Sequence, residues 1–250
     1  MTELPRIKTI GVMGGGVMGG GISQVFALHG YDVVCRDLTD ELNDKTRETI
    51  TVGRYGYEGG IERGKLTREQ VDQALARLKF VTRMEDLANV DLIVEAVPED
   101  LELKKKVWAE LERIVKPDAI FATNTSGFSI QRLASAVERR DRFLGMHWFS
   151  PAPVMKLVEV IYGPETRPQT TDAIVELCES CDKVAIRVKD TTDAYGFVGN
   201  RVYFAAVAEA RKIMDEGLAS VDDINKAMVY GFNWPVGPLA MVEGARKGWG

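Results

Sequence analysis

The sequence predicts an α/β fold: a doubly wound, mostly parallel sheet with a second, smaller domain that is all helix. Three observations carry this. Apolar strand-like segments alternate with helical ones along most of the chain, the pattern of parallel strands joined by helical crossovers. A run of glycines, Gly14-Gly15-Gly16-Val17-Met18-Gly19-Gly20-Gly21, lies between the first strand and the first helix. After Lys189 the strand signals stop and only helical periodicity remains. The boundary falls near Thr191, giving domains over residues 1–190 and 191–250.

Residues 7–13 read as a short buried strand, and residues 22–28 have helical spacing that ends at Gly30, a residue suited to a helix C-terminus. Residues 32–37 form the second strand, so the opening is one βαβ unit. Residues 39–78 are polar and helical, interrupted at residues 56–64 and restarted by the capping box Thr67-Arg68-Glu69-Gln70. This stretch is too long for an ordinary crossover and is expected to be a helical arm projecting from the sheet. Residues 91–97 are a continuous apolar strand, the kind buried on both faces, which Pro98 ends. A charged amphipathic helix over residues 99–115 follows and stops before Pro117. Further strands are expected at residues 119–124, 143–149, 156–161 and 183–188, with helices near 130–137 and 170–181. In the second domain, residues 198–216 form a long helix with Val198, Val202, Ala205, Ala206, Ala210 and Ile213 on its apolar side. Ser220-Val221-Asp222-Asp223 caps another.

Composition excludes several function classes. The chain has 250 residues, 45% of them hydrophobic, and 32 basic against 37 acidic side chains give a net charge of −5. With a pI near 5.3, no basic face is available to neutralise phosphates, so nucleic acid is not the expected partner. No apolar run approaches the roughly 20 residues needed to span a bilayer. Neither a signal peptide nor a transit peptide is expected at the start, and three cysteines suit a reducing cytoplasm better than a disulfide framework.

Gly14-x-Gly16-x-x-Gly19 sits between a strand and a helix, the context that gives the pattern meaning. The first glycine permits the tight turn, the second lets the backbone approach a pyrophosphate, and the third lets helix and strand pack closely. The helix N-terminus offers unpaired amides and partial positive charge to the anion. Asp37, at the end of the second strand, is placed to bond a ribose diol, and its charge repels the extra phosphate of NADP. The segment reads as a Rossmann-type NAD site, with a glycine-rich turn that holds no ligand as the alternative. Arg36 is expected to point to the opposite face of the strand.

Only two histidines are present. His29 ends the first helix, where the dipole favours a cation, and needs no further role. His147 ends an apolar strand, where open α/β sheets place ligands. Glu159 interrupts the apolar run Leu157-Val158-Glu159-Val160-Ile161, which is costly unless the carboxylate is paired. An imidazole on the adjacent strand would satisfy it and gain basicity, making a general base with an orienting partner. A purely structural ion pair fits the same spacing. Cys178-Glu179-Ser180-Cys181 lies late in a helix with no second ligand pair, so it reads as packing, and no metal is expected. There is no nucleophile elbow and no Walker sequence.

These features together resemble the NAD-dependent (S)-3-hydroxyacyl-CoA dehydrogenases over nearly the whole chain. The resemblance is carried by residues 14–22, Glu95-Ala-Val-Pro-Glu-Asp-Leu-Glu-Leu-Lys104, Asn124-Thr-Ser126, Gly145-Met-His-Trp-Phe149, and Pro151-Ala-Pro-Val-Met-Lys-Leu-Val-Glu-Val-Ile161. It continues in Gly196-Phe197, Asn200-Arg201 and Pro235-Val-Gly-Pro-Leu239. The resemblance implies that His147 takes the 3-hydroxyl proton while C3 gives hydride to the nicotinamide, with Glu159 holding the imidazole. It implies that Ser126 bonds the substrate oxygen near the nicotinamide and that Asn200 polarises the thioester carbonyl. Gly14, Gly16, Val17, Met18, Gly19, Asp37, Glu99, Lys104, Asn124 and Ser150 fall on cofactor-binding positions. The helical arm would lie against the CoA moiety, with Lys65 meeting its phosphates. A homodimer and a place in fatty acid β-oxidation are implied as well.

Three departures from the family pattern stand out. Ser150 replaces a usual asparagine near the carboxamide, so that contact is expected to be weaker or water-mediated. The loop between Asp190 and Asn200 is longer than usual, which bears on where Asn200 sits. The family continues through more helices beyond Gly250, so the helical domain is expected to be incomplete at its C-terminus, with Met241, Val242 and Trp249 uncovered. Two other readings share the glycine turn. A β-hydroxyacid dehydrogenase acting on free acids would need a catalytic lysine where Asn200-Arg201 stands and would leave the His147/Glu159 pair unexplained. A non-catalytic NAD-binding relative would not need Ser126, His147, Glu159 and Asn200.

Overall fold

The first unit, Met1–Asp193, is organised by one sheet. Its strands are β1 (Thr9–Met13), β2 (Asp32–Arg36), β3 (Leu78–Val81), β4 (Leu92–Glu95), β5 (Ile120–Thr123), β6 (Phe143–Trp148), β7 (Leu157–Tyr162) and β8 (Val184–Lys189). They lie in the order β3-β2-β1-β4-β5-β6-β7-β8, parallel throughout except for the antiparallel pair β6 and β7. The order reverses direction between β1 and β4, and such a switch point opens a ligand crevice at the carboxyl ends of the strands. The computed structural model describes residues 6–191 and 195–248.

The strands follow the local chemistry. β4 (Leu-Ile-Val-Glu) and β5 (Ile-Phe-Ala-Thr) are buried at every position, as parallel strands covered on both faces must be. On one face α1 (Val17–Leu28) sends Phe26 edge-on to Trp148, their centroids 5.5 Å apart. The long helix after β4 is numbered α5 (Leu101–Ile114), and its Trp108 packs on Phe121 and Phe143, each with a centroid separation of 4.9 Å.

The expected projecting arm is instead a packed crossover. Its helices α2 (Asp40–Val52), α3 (Tyr57–Glu62) and α4 (Arg68–Ala76) bury Ile50, Tyr57, Val71 and Ala74 in the same core as Phe26. The Tyr57 hydroxyl donates to the Gln24 carbonyl of α1 at 2.7 Å, and Gln24 Nε2 donates to the Tyr55 carbonyl at 2.9 Å. The crossover delivers the chain into β3, an edge strand not foreseen in the sequence, paired with β2. The capping box at Thr67 and Gln70 forms as expected. α6 (Ile130–Ala134) and α7 (Pro168–Ser180) complete this unit.

The second unit, Ala194–Gly250, holds α8 (Gly199–Asp215), α9 (Val221–Phe232) and α10 (Pro238–Gly248), the last of these not foreseen. Ser220 Oγ accepts the Asp223 amide at the start of α9, and Asn233, in the left-handed region at φ 56°, ends it. Asn225 Oδ1 accepts the amides of Leu239 and Ala240, tying α9 to the first turn of α10. The apolar side expected of α8 is only partly covered: Val207 and Ala210 are buried, while Val202 is 64% exposed. Met241 and Val242 are half-buried, and Trp249 lies outside the described residues. Among the described residues no helix is long and apolar enough to cross a membrane.

Candidate active site

The glycine turn between β1 and α1 assigns each glycine a distinct duty. Gly14 has φ +95°, and a Cβ there would lie 2.9 Å from the Ala96 carbonyl of the neighbouring β4 loop. Gly19 approaches the turn so closely that a Cβ would sit 1.7 Å from the Gly14 carbonyl oxygen. Around Gly16, by contrast, nothing lies within 4 Å of a Cβ position, so the backbone there faces open space. Gly16 caps α1 without any side-chain hydrogen bond, and the Gly20 amide makes a bond back to the Gly16 carbonyl. The amides of Val17, Met18 and Gly19 precede that bond, as the first N–H groups of any helix do. A cradle of this form fits a dinucleotide pyrophosphate.

Asp37 follows β2. Its Oδ2 accepts the Gly15 amide at 2.8 Å and its Oδ1 the Leu38 amide at 2.7 Å, so the carboxylate is oriented by backbone beside the turn. Arg36 turns away as expected: its Nε donates to the Thr82 carbonyl at 2.9 Å. No arginine is therefore supplied by this position to a ribose phosphate, and NAD fits better than NADP. Thr46 of α2, which the sequence did not single out, donates to the Gly15 carbonyl at 2.7 Å and braces the turn from outside.

The loops after β4 and β5 are bonded to each other. Glu99 Oε1 accepts the Ser126 amide at 3.0 Å and the Thr125 hydroxyl at 2.5 Å. Lys104 is 1% exposed, with its ammonium bonded to Glu95 (2.6 Å) and the Val97 carbonyl (3.1 Å), and 3.3 Å from Glu99. Lys104, expected at a cofactor-binding position, is thus enclosed, and its ammonium lies against Glu95, Val97 and Glu99. Asn124 Oδ1 accepts the Trp148 amide at 2.9 Å, joining the end of β5 to the residue after His147.

His147 and Glu159 face each other directly across the antiparallel pair β6 and β7. Nδ1 lies 2.7 Å from Glu159 Oε2, with the two side chains 3% and 0% exposed. An Nδ1–H donated to the carboxylate sets the tautomer and directs Nε2 to proton exchange. The Phe149 ring lies 4.8 Å from the imidazole, centroid to centroid. Ser150, at the end of this segment, is half-buried.

Thus the glycine turn, Asp37, Glu99, Asn124, Ser126, His147 and Ser150 all lie at or just beyond the carboxyl ends of parallel strands, with Glu159 paired to His147. Lys65 is exposed in the loop between α3 and α4. Asn200 belongs to the second unit, as the second residue of α8, half-buried. Residues 192–194, in the stretch between Asp190 and Asn200, lie outside the described residues.

The remaining candidates are structural. His29 Nδ1 lies 2.8 Å from the Val25 carbonyl and its Nε2 3.4 Å from Asp182. Cys178 and Cys181 are reduced and buried, and burial raises both thiols, that of Cys181 to about 11, which makes them poor nucleophiles. Among the described residues no cluster of side chains could hold a metal ion.

Comparison with known proteins finds a family and several similar chains. Residues 9–191 match the family described as "3-hydroxyacyl-CoA dehydrogenase, NAD binding domain", and residues 196–248 match "3-hydroxyacyl-CoA dehydrogenase, C-terminal domain". The chain is 40% identical over 232 residues to a 3-hydroxybutyryl-CoA dehydrogenase of Clostridioides difficile, covering 93% of this chain and 80% of the relative. It is 38% identical to the mitochondrial hydroxyacyl-coenzyme A dehydrogenase of Rattus norvegicus, covering 95% of this chain and 76% of the relative. The crystal structure of (S)-3-hydroxybutyryl-CoA dehydrogenase from Ralstonia eutropha superposes with a TM-score of 0.88 at 40% identity, over 94% of this chain and 81% of that one.

Proposed function

The chain belongs to the 3-hydroxyacyl-CoA dehydrogenase family, and from that premise we propose that His147, oriented by Glu159, is the general base of an NAD-dependent interconversion of (S)-3-hydroxyacyl-CoA and 3-oxoacyl-CoA. The observation that carries this reading is the buried His147–Glu159 pair, 2.7 Å long, near the carboxyl end of β6, on the side of the sheet where the glycine turn lies. NAD, when bound, supplies the hydride acceptor for C3. His147 Nε2 accepts the proton of the 3-hydroxyl as the carbonyl forms, and Glu159 balances the charge the imidazole acquires. Ser126, whose amide is fixed by Glu99, bonds the same substrate oxygen through its hydroxyl. Asn200 polarises the thioester carbonyl, a role that rests on the family resemblance.

Further details belong to the same proposal. The loop carrying Lys65 meets the phosphates of CoA, supported by the exposure of its ammonium-bearing side chain. Assembly as a homodimer is supported by the apolar side chains left exposed in the second unit, among them Val202, Leu218, Tyr230 and Phe232. A cytoplasmic setting is supported by three free cysteines, all buried.

The test is NADH formation at 340 nm with (S)-3-hydroxybutyryl-CoA, with free 3-hydroxy acids as the competing substrates. Turnover of the thioester that falls at least about 100-fold in His147→Ala is expected, the size typical of losing a general base. Preference for the free acids, or full activity in His147→Ala, would reject the reading.

A further inference from the structure

We propose that Glu95 and Lys104 form a buried positioning pair that holds Glu99 against the turn carrying Ser126, locking the loops after β4 and β5 into one surface for the second mononucleotide of the cofactor. The inference deepens the reading above and rests on it for the role of Ser126.

Glu95 is the last residue of β4, a strand buried at every position, and it is itself wholly buried. An isolated carboxylate there would be expensive. Its acceptors are instead filled: Oε1 takes the Lys104 ammonium at 2.6 Å and the Val97 amide at 2.9 Å, and Oε2 takes the Thr123 hydroxyl at 2.7 Å. Burial still pushes the Glu95 carboxyl up, against the pull of the Lys104 charge. The Lys104 ammonium donates to Glu95 and to the Val97 carbonyl, and it also forms an ion pair with Glu99 Oε2 at 3.3 Å. Both ends of the β4 loop are thereby fixed, Val97 through its amide and carbonyl and Glu99 through its carboxylate.

Glu99 transmits the hold. Its side chain is 39% exposed, so it lies at the surface of the crevice, and its other oxygen accepts the Thr125 hydroxyl and the Ser126 amide. Thr125 Oγ1 in turn accepts the amides of Gly127 and Phe128, so the turn after β5 closes on the same carboxylate. In a doubly wound sheet the half beyond the switch point binds the second mononucleotide outside its strand ends, which here means outside β4 and β5. Merely filling the volume would not require charge, since buried ion pairs can often be replaced by apolar residues without loss of stability. Apolar replacements cannot, however, pin Glu99.

That difference supplies the test. In the double variant Glu95→Gln/Lys104→Met the buried charges leave together, whereas Lys104→Met strands a buried carboxylate. The expected result is a large fall in Tm for Lys104→Met and recovery to near wild type in the double variant. NADH affinity, read by fluorescence titration without any acyl-CoA, should stay about tenfold or more below wild type in both, since small misplacements of a positioning group cost that much. Glu99→Gln, partly exposed and leaving the buried pair whole, should show a similar loss of affinity. Wild-type NADH affinity in the double variant, or in Glu99→Gln, would overturn the proposal and leave the pair a structural one. Because the readout needs no thioester, a failure of the acyl-CoA reading would appear separately, as absent turnover by the wild-type enzyme.

Discussion

Two substitutions in the glycine turn should lose cofactor binding for opposite reasons. In Gly19→Ala the new methyl would begin 1.7 Å from the Gly14 carbonyl oxygen, and contacts under 3.0 Å are essentially never seen, so the start of α1 must move by at least 1.3 Å. A shift of that size pulls the amides of Val17, Met18 and Gly19 out of reach of a phosphate, since hydrogen bonds at ~2.9 Å fail beyond ~3.5 Å. Each bond to a charged oxygen contributes about 1.5–3 kcal/mol, so losing two should weaken NADH binding by about 100-fold or more. Helix α1 also carries Phe26 into the core, and overpacking of this kind costs about 1–3 kcal/mol. At roughly 2–4 °C per kcal/mol for a chain of this size, Tm should fall by about 2–12 °C.

Gly16→Ala differs at every step but the last. Its methyl meets nothing within 4 Å, and its φ of −57° is ordinary for alanine, so Tm should stay within about 2 °C of wild type. The methyl nevertheless occupies the space through which a pyrophosphate approaches, and NADH affinity should drop by at least about tenfold. Calorimetry and a fluorescence titration on the same samples separate the two effects. Wild-type NADH affinity in Gly16→Ala would refute the assignment of that open space to the phosphates. An unshifted Tm in Gly19→Ala would refute the packing account.

Glu159→Gln keeps an acceptor for His147 Nδ1–H but removes the charge, so kcat for the thioester should fall by about 10–150-fold, the range of a charged hydrogen bond, while NADH affinity, set elsewhere, stays unchanged; undiminished kcat would show the pair to be structural. Asp91, beside β1, is buried enough to oppose ionisation, yet the Lys116 ammonium at 2.6 Å and the amides of Thr9 and Lys8 outweigh this and hold its carboxyl below the usual range. A carboxyl lowered on folding stabilises the fold above the unfolded value of ~3.9 and loses that contribution as pH falls through its lower folded value. Asp91→Asn should therefore lower Tm at pH 7 and flatten its decline in acid, and an equally steep acid decline in the variant would count against it.

The His147–Glu159 pair was legible because a carboxylate inside an apolar strand demands a partner, and strand periodicity leaves few side chains able to reach it. The glycine turn was legible because its constraints are local to the backbone. Edge strand β3 was not: Leu78-Lys79-Phe80-Val81 is four residues long and follows α4 with no turn signal except its own C-terminal cap. The crossover helices were recognised by their polar periodicity, but Ile50, Tyr57, Val71 and Ala74 are too widely spaced to show that they meet α1 rather than solvent. Thr46 and Glu95 escaped for a different reason. Their importance comes from partners that only the fold brings near, the Gly15 carbonyl for one and Thr123 and Lys104 for the other. Lys104 itself was found by family position, but its burial against Glu95 is a tertiary property that no sequence spacing shows.

The one antiparallel pairing in the sheet is what makes the His147–Glu159 pair possible. Parallel neighbours need a long crossover, whereas antiparallel ones can be joined by a short link, and here residues 149–156 reverse the chain between β6 and β7. The reversal sets His147 directly opposite Glu159 on the same face. A slip of one residue would present Val158 or Val160 instead and bury the carboxylate on the other side without its imidazole. The register is therefore held by more than the ladder. Lys183, its own charge disfavoured by burial, donates to the carbonyls of Ala152 and Met155 at 2.7 and 2.9 Å, and Gly21 of α1 leaves room for Ala152 and Pro153 to press against the helix. The same helix that follows the glycine turn thus braces the link that aligns His147 with Glu159, so the turn and the pair are set by one piece of packing.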